Sequence, residues 1–176
     1  MEPVKRLKRE LQAQGTVIGL YRDTVEVNGH IAEWDYIHHD GAAAVVAVNA
    51  DGKLMMVRQY RNALDRFTLE LPAGKLDEPD EPTLDCAKRE LEEETGYKSN
   101  YFEYLLTVNT TVAFCNEKID IYLARDLEKS RQNLDEDEEI NVELWDIEEL
   151  KQMIYRGEIT DGKTVAGILT YAAKYL

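Results

Sequence analysis

The chain has 176 residues, 44% of them hydrophobic, which is enough for one domain with a real core and too apolar for whole-chain disorder. Its 21 basic against 35 acidic side chains give a formal net charge of -14, a field that repels nucleic acid and anionic membrane and leaves any phosphate substrate in need of cations to mask it. Cys86 and Cys115 have no metal-type spacing and make no disulfide framework, and the longest apolar run, AAAVVAV, is too short to span a bilayer, so the expectation is a cytoplasmic protein with neither nucleic-acid nor membrane partners.

The opening segment MEPVKRLKRELQAQG is charged throughout and has no secretory apolar stretch. Residues 16 to 37 alternate around Asn28-Gly29, a strong two-residue hairpin signal, so TVIGLYRDTVEV and HIAEWDYI read as paired strands of a small N-terminal antiparallel sheet. This region is expected over 1–39, and the main domain over 40–176. There follow the buried strand AAAVVAV, a turn at Asp51-Gly52, the strand KLMMVRQY, and FTLELPAG as a short strand running into a loop. Pro82 suits the first position of a helix that Gly96 closes. Downstream, YFEYLLTV and KIDIYLA read as strands, NLDEDEE as an acidic loop, INVELWDI as a further strand, and two helices finish the chain.

At 100° per residue, Leu84, Ala87 and Leu91 fall on one side of the helix that follows Pro82, while Glu90, Glu93 and Glu94 share another. Like charges at i, i+3 and i+4 cost about 0.2 to 0.5 kcal/mol per pair in isolated helices, so an added factor must favour them. A divalent cation is one such factor, because hard ions take carboxylate oxygens together with substrate phosphates. A solvated glutamate-rich face is the other reading. Arg89, four residues before Glu93, is placed to orient that carboxylate.

From Glu81, seven residues lead to Arg89-Glu90, then Leu91, Glu92, Glu93-Glu94, Thr95, Gly96 and Tyr97. This resembles the Nudix box, the signature of the Nudix hydrolases. One departure is that Gly74 lies six residues before Glu81 where the box has five, an insertion within the proline-containing loop KLDEPD. The resemblance implies an α+β Nudix fold, a mixed β-sheet sandwiched between helices, carrying the small N-terminal sheet. It implies metal ligation by Glu90, Glu93 and Glu94, with Glu81 a further acidic contributor and Arg89 in support. The implied cofactor is Mg²⁺, with Mn²⁺ as the alternative, and the implied reaction is hydrolysis of a nucleoside diphosphate linked to another moiety.

Most of the chain is similar to the ADP-ribose pyrophosphatase branch, through VRQYR before the box, ELPAGK entering it, FCNEKIDIYLA after it, DEDEEI in the acidic loop and GEITDGKT before the last helix. That similarity implies a homodimer with exchanged N-terminal sheets and makes the backbone carbonyl of Ala73 a further metal ligand. Trp34 becomes the candidate for stacking the adenine, a strand tryptophan packed at an interface being the other reading. Arg58 and Arg61 are candidates for phosphate or ribose contact, or surface strand residues. By register against Ile140, Glu136 is the expected general base and Glu138 the second choice. Glu117 aligns with another acidic residue of the branch.

Where many ADP-ribose enzymes carry Ser-Pro-Gly, this chain has Thr111-Val112-Ala113, which keeps other sugar nucleotides such as GDP-mannose open. A non-catalytic ADP-ribose sensor on the same fold is the alternative from a different class. Retention of every box glutamate argues against it. His30, His38 and His39 read as structural, and Cys86 has no sequence-local base to activate it.

Overall fold

The computed structural model describes residues 4–136 and 138–176, so the start of the expected N-terminal region and Asp137 of the acidic loop lie outside the described residues. The elements in chain order are β1 (Lys5–Gln14), β2 (Gly19–Val27), β3 (His30–His38), β4 (Ala42–Val48), β5 (Leu54–Arg61), β6 (Arg66–Glu70), β7 (Ala73–Lys75), α1 (Thr83–Thr95), β8 (Tyr97–Lys98), β9 (Tyr101–Asn109), β10 (Lys118–Arg125), β11 (Glu128–Lys129), β12 (Ile140–Trp145), α2 (Ile147–Tyr155) and α3 (Gly162–Tyr175). They divide into two units: residues up to Gly41 with Asn109–Lys118, and Ala42–Val108 with Ile119–Leu176.

In the first unit, β1, β2 and β3 form a three-stranded antiparallel sheet. The β2–β3 hairpin turns on Asn28 and Gly29, both at positive φ (51° and 78°), as a two-residue turn of this kind demands. β1 had no strand signature in the sequence. Its residues are exposed on nearly every position, and its register against β2 is broken twice, between Arg6 and Lys8 and between Leu11 and Ala13. Pairing with a neighbour makes it a strand where periodicity alone does not.

The second unit is built on a seven-stranded sheet with the order β12-β5-β4-β10-β9, to which β6 adds on β5 and β7 on β4. β4 and β10 run parallel, whereas β4–β5, β5–β6, β4–β7 and β12–β5 are antiparallel, so the sheet is mixed. β4 is buried on both faces, which is why it reads as an unbroken apolar run. Ala42, Ala44, Val46 and Val48 join one core with Leu150 of α2 and Ile168 and Tyr171 of α3. Ala43, Val45 and Ala47 join a second with Cys86, Ala87 and Leu91 of α1, and Leu84 packs against it partly buried. The sheet is therefore sandwiched between α1 and the pair α2–α3, an α+β architecture. Among the described residues no helix is long and apolar enough to cross a membrane.

Candidate metal and hydrolytic site

α1 starts one residue later than expected, with Pro82 extended just outside the helix, and ends at Gly96, whose φ of 71° is left-handed and whose N–H donates to Glu92 O at 2.9 Å. Its buried side chains include Glu90 and Glu94, at 9% and 3% exposure. Two acids are thus buried on the face that approaches β7. Glu94 is pinned there because Ala73 N donates to its Oε2 at 2.9 Å. Glu90 lies directly over Gly74: a Cβ at that position would land inside the Glu90 carboxylate. Gly74 is required for the space it leaves, while Gly96 is required for its backbone conformation.

Arg89 gathers the remaining acids. Its Nη1 donates to Glu90 Oε1 at 2.6 Å and to Glu93 Oε2 at 3.1 Å, and its Nη2 donates to Lys75 O at 3.1 Å. Ion pairs to Asp77 at 3.2 Å and Glu81 at 3.4 Å complete the set. Glu81 also accepts from Asp77 N at 2.8 Å, and Glu81 N bonds Glu78 O at 3.0 Å, so the extra residue before Glu81 is taken up in a closed turn.

The electrostatics follow from burial. Burial first, and then Glu93 and Glu138, push the Glu90 carboxyl up to about 7 against the pull of Arg89. Burial and the neighbouring Glu90 push Glu94 to about 8. Cys86, buried beside these acids, is pushed to about 12 and stays an inert thiol. Among the described residues no three His, Cys, Asp or Glu side chains already converge as a closed cage. Glu90 and Glu93 are held by Arg89, and Glu94 by an amide. The donor set nonetheless fits a hard divalent cation, with carboxylate oxygens short of positive charge and a glycine cradle holding one of them in place.

The acidic loop is tied to the C-terminal end of α1. Ser130 N donates to Gly96 O at 2.7 Å, Asn133 N to Glu93 O at 2.9 Å, and Gln132 Nε2 to Glu94 O at 2.7 Å. A cleft of about 340 Å³ lies here between Arg89, Glu92, Glu93, Arg131 and Asn133. Glu138 folds back on the loop, its N–H on Asp135 O at 3.1 Å and its Oε2 accepting from Asp135 N at 3.2 Å. Its charge reaches both Glu90 and Glu94. Glu136 stands exposed in the turn.

The structure does not bring the two strand arginines together. They lie three apart on β5, so alternation puts them on opposite faces. Arg58 is held by Glu143 of β12, Nε to Oε1 at 2.5 Å. Arg61 lies against Glu70, with Nε to Oε1 at 2.8 Å and Nη2 to Oε2 at 2.6 Å, and Glu94 is close enough to raise it further. Trp34 and Glu117 belong to the first unit. Trp34, 49% exposed, lines a groove of about 580 Å³ with Leu20, Ile37 and Phe114. Glu117 accepts from Thr110 Oγ1 at 2.7 Å and lies 3.7 Å from His39. Sequence reading missed Glu70 and Lys163 as site-flanking residues; their signal was the pair of segments ELPAG and TDGKT, noted only for their similarity.

The NUDIX domain profile matches residues 38–167. A methanol dehydrogenase activator of Bacillus methanolicus is 38% identical over 167 residues, spanning 93% of this chain and 90% of the relative. An ADP-ribose pyrophosphatase of Bacillus subtilis is 37% identical over 175 residues, spanning 98% and 91%. A GDP-mannose pyrophosphatase of Cronobacter sakazakii is 33% identical over 139 residues, spanning 74% and 72%. Among solved structures, the crystal structure of an ADP compounds hydrolase superposes with a TM-score of 0.85 over 98% of this chain and 94% of that one, at 21% identity, a likeness of fold.

Proposed function

The chain belongs to the Nudix family of hydrolases, and from that premise we propose that it splits the pyrophosphate of ADP-ribose with water, giving AMP and ribose 5-phosphate, with Mg²⁺ as its cofactor. The observation that carries the reading is the burial of Glu90 and Glu94 against Ala73 and Gly74, where two acids without enough countercharge make sense as ligands. Glu90, Glu93, Glu94 and the Ala73 carbonyl would hold the ion. When bound, Mg²⁺ supplies charge neutralisation of the pyrophosphate and acidification of the attacking water.

The chain's own residues do the rest. Arg89 holds Glu90 and Glu93 in register while Asp77 and Glu81 hold Arg89. Glu138 is the base that removes the water proton, because its charge already acts on Glu90 and Glu94; Glu136, exposed in the same loop, is the other candidate. Arg61, lying within electrostatic reach of Glu94, is the phosphate-facing guanidinium, and Arg58 is committed to Glu143. In the N-terminal unit, exposed Val4, Leu7, Leu11, Val17, Ile18 and Ile31 support a homodimer formed through that sheet, with Trp34 at the adenine. Free Cys86 and Cys115 support the cytoplasm as the working compartment.

Thr111-Val112-Ala113 favours a second reading, in which GDP-mannose or another sugar nucleotide is the substrate. Turnover of ADP-ribose, GDP-mannose, UDP-glucose, NADH and diadenosine polyphosphates with Mg²⁺, for wild type and Glu93→Gln, tests both. ADP-ribose leading with an inactive variant supports the proposal, and GDP-mannose leading moves the substrate to the second reading. Binding of ADP-ribose without turnover of any compound would replace the enzyme with a sensor.

A further inference from the structure

The segment TDGKT, residues 160 to 164, starts α3 and reaches across to the strand that feeds Gly74. Asp161 Oδ2 accepts from Thr164 N at 3.0 Å, capping the helix, and Thr164 Oγ1 accepts from Leu71 N at 3.0 Å. Lys163, only 8% exposed, donates to Asp161 Oδ2 at 2.9 Å and to Glu70 Oε2 at 2.5 Å. Glu70, 2% exposed, accepts from four donors: Arg61 Nε, Arg61 Nη2, Thr68 Oγ1 at 2.7 Å and Lys163 Nζ.

A buried ion cluster of this kind contributes little net stability relative to apolar packing, so its geometry points to another use. Glu70 grips Arg61 side-on through Nε and Nη2, and among the described residues Nη1 makes no hydrogen bond, which leaves that edge for a substrate oxygen. Glu70 alone would cancel the guanidinium charge. Lys163 brings a second positive charge to that carboxylate, so that two cations, Arg61 and Lys163, are set against two carboxylates, Glu70 and Asp161, beside a cleft of about 320 Å³ that the four line. Asp161 Oδ2 is shared between the amide it caps and Lys163 Nζ.

We propose that Lys163 is a positioning residue for hydrolysis: through Glu70 it fixes the orientation of Arg61 toward the pyrophosphate. This rests on the reading of Arg61 as the phosphate-facing residue. The test is a double-mutant cycle on the substrate that leads the nucleotide panel, measuring kcat and KM for wild type, Lys163→Met, Lys163→Arg, Arg61→Ala and Arg61→Ala with Lys163→Met. Lys163→Met should lower kcat/KM by about tenfold to a hundredfold, the scale of a catalytic group displaced by about an ångström, and Lys163→Arg should recover most of it. In the Arg61→Ala background, Lys163→Met should cost less than about threefold more, because the residue it acts through is gone.

An equal loss in both backgrounds, or no loss in either, overturns the positioning role. If Lys163→Met fails to fold, Glu70→Gln replaces it in the same cycle with the same two outcomes. Should Arg61→Ala match wild type, the reading of Arg61 falls and takes this role with it, whereas a wild type inactive on every nucleotide sinks the hydrolase reading itself.

Discussion

Gly74→Ala is the sharpest perturbation the site offers, because the added methyl occupies the volume of the Glu90 carboxylate. The obstacle is the end of a flexible side chain, so the chain can still fold by moving Glu90 aside, at an overpacking cost of about 1 to 3 kcal/mol. That movement breaks the 2.6 Å bond from Arg89 Nη1 and displaces a candidate ligand by at least about an ångström. Misplacement on that scale costs about a hundredfold in rate, or about 2.7 kcal/mol of transition-state stabilisation. The assay is Mg²⁺-dependent turnover with a Mg²⁺ titration, run beside circular dichroism and a thermal melt. The expected result is a folded protein with kcat/KM down about a hundredfold and a higher Mg²⁺ requirement. A folded Gly74→Ala variant within about threefold of wild type would refute the argument that Glu90 must lie over this glycine.

Glu70 gives a pH prediction. Burial alone would raise its pKa, but Arg61, Lys163 and Thr68 together bring it down to about 2 from an ordinary 4.5. The stabilisation, on the order of 3 kcal/mol, is present above about pH 4.5 and lost as the pH falls toward about 2. The stability gap between wild type and Glu70→Gln, measured by urea unfolding, should therefore be widest near neutrality and shrink across that window; a gap independent of pH would contradict it. Gly96→Ala forces a Cβ onto a left-handed residue and to 2.9 Å from Gln132 N, so it should cost about 1 to 2 kcal/mol, read as a lowered Tm. An unchanged melt would show that the helix end relaxes freely. Glu138→Gln should lower kcat by about a hundredfold or more and Glu136→Gln by less than about threefold; the reverse order would return the base to Glu136.

How much of this was legible beforehand depends on whether a feature is local. The α1 pattern carries its own geometry: 3.6-residue spacing alone puts Leu84, Ala87 and Leu91 against the sheet and separates the acids from them. The Asn28-Gly29 turn likewise encodes its hairpin. β1 is different, because KRLKRELQAQ spaces Leu7 and Leu11 four apart and is polar elsewhere but for Ala13, so only its ladder to β2 reveals a strand. β7 is three residues long and is defined by Ala42–Ala44 on its neighbour. Glu70 and Lys163 are 93 positions apart, and no period in the sequence joins them.

The acidic loop is where counting along the chain says least about placement, because its contacts are made to other elements. By resemblance, counting back from Ile140 selects Glu136, with Glu138 as the second choice. Asp135 and Glu138 are joined by two hydrogen bonds, and the charge of Glu138 acts on Glu90 and Glu94. The other end is moored by Asn133 and Gln132 to carbonyls of Glu93 and Glu94, the last turn of the helix that carries the acids. The loop is thus fastened to α1 at one end and runs into a core strand at the other. The helix that carries the candidate ligands is therefore also the one to which the loop bearing both candidate bases, Glu136 and Glu138, is tied.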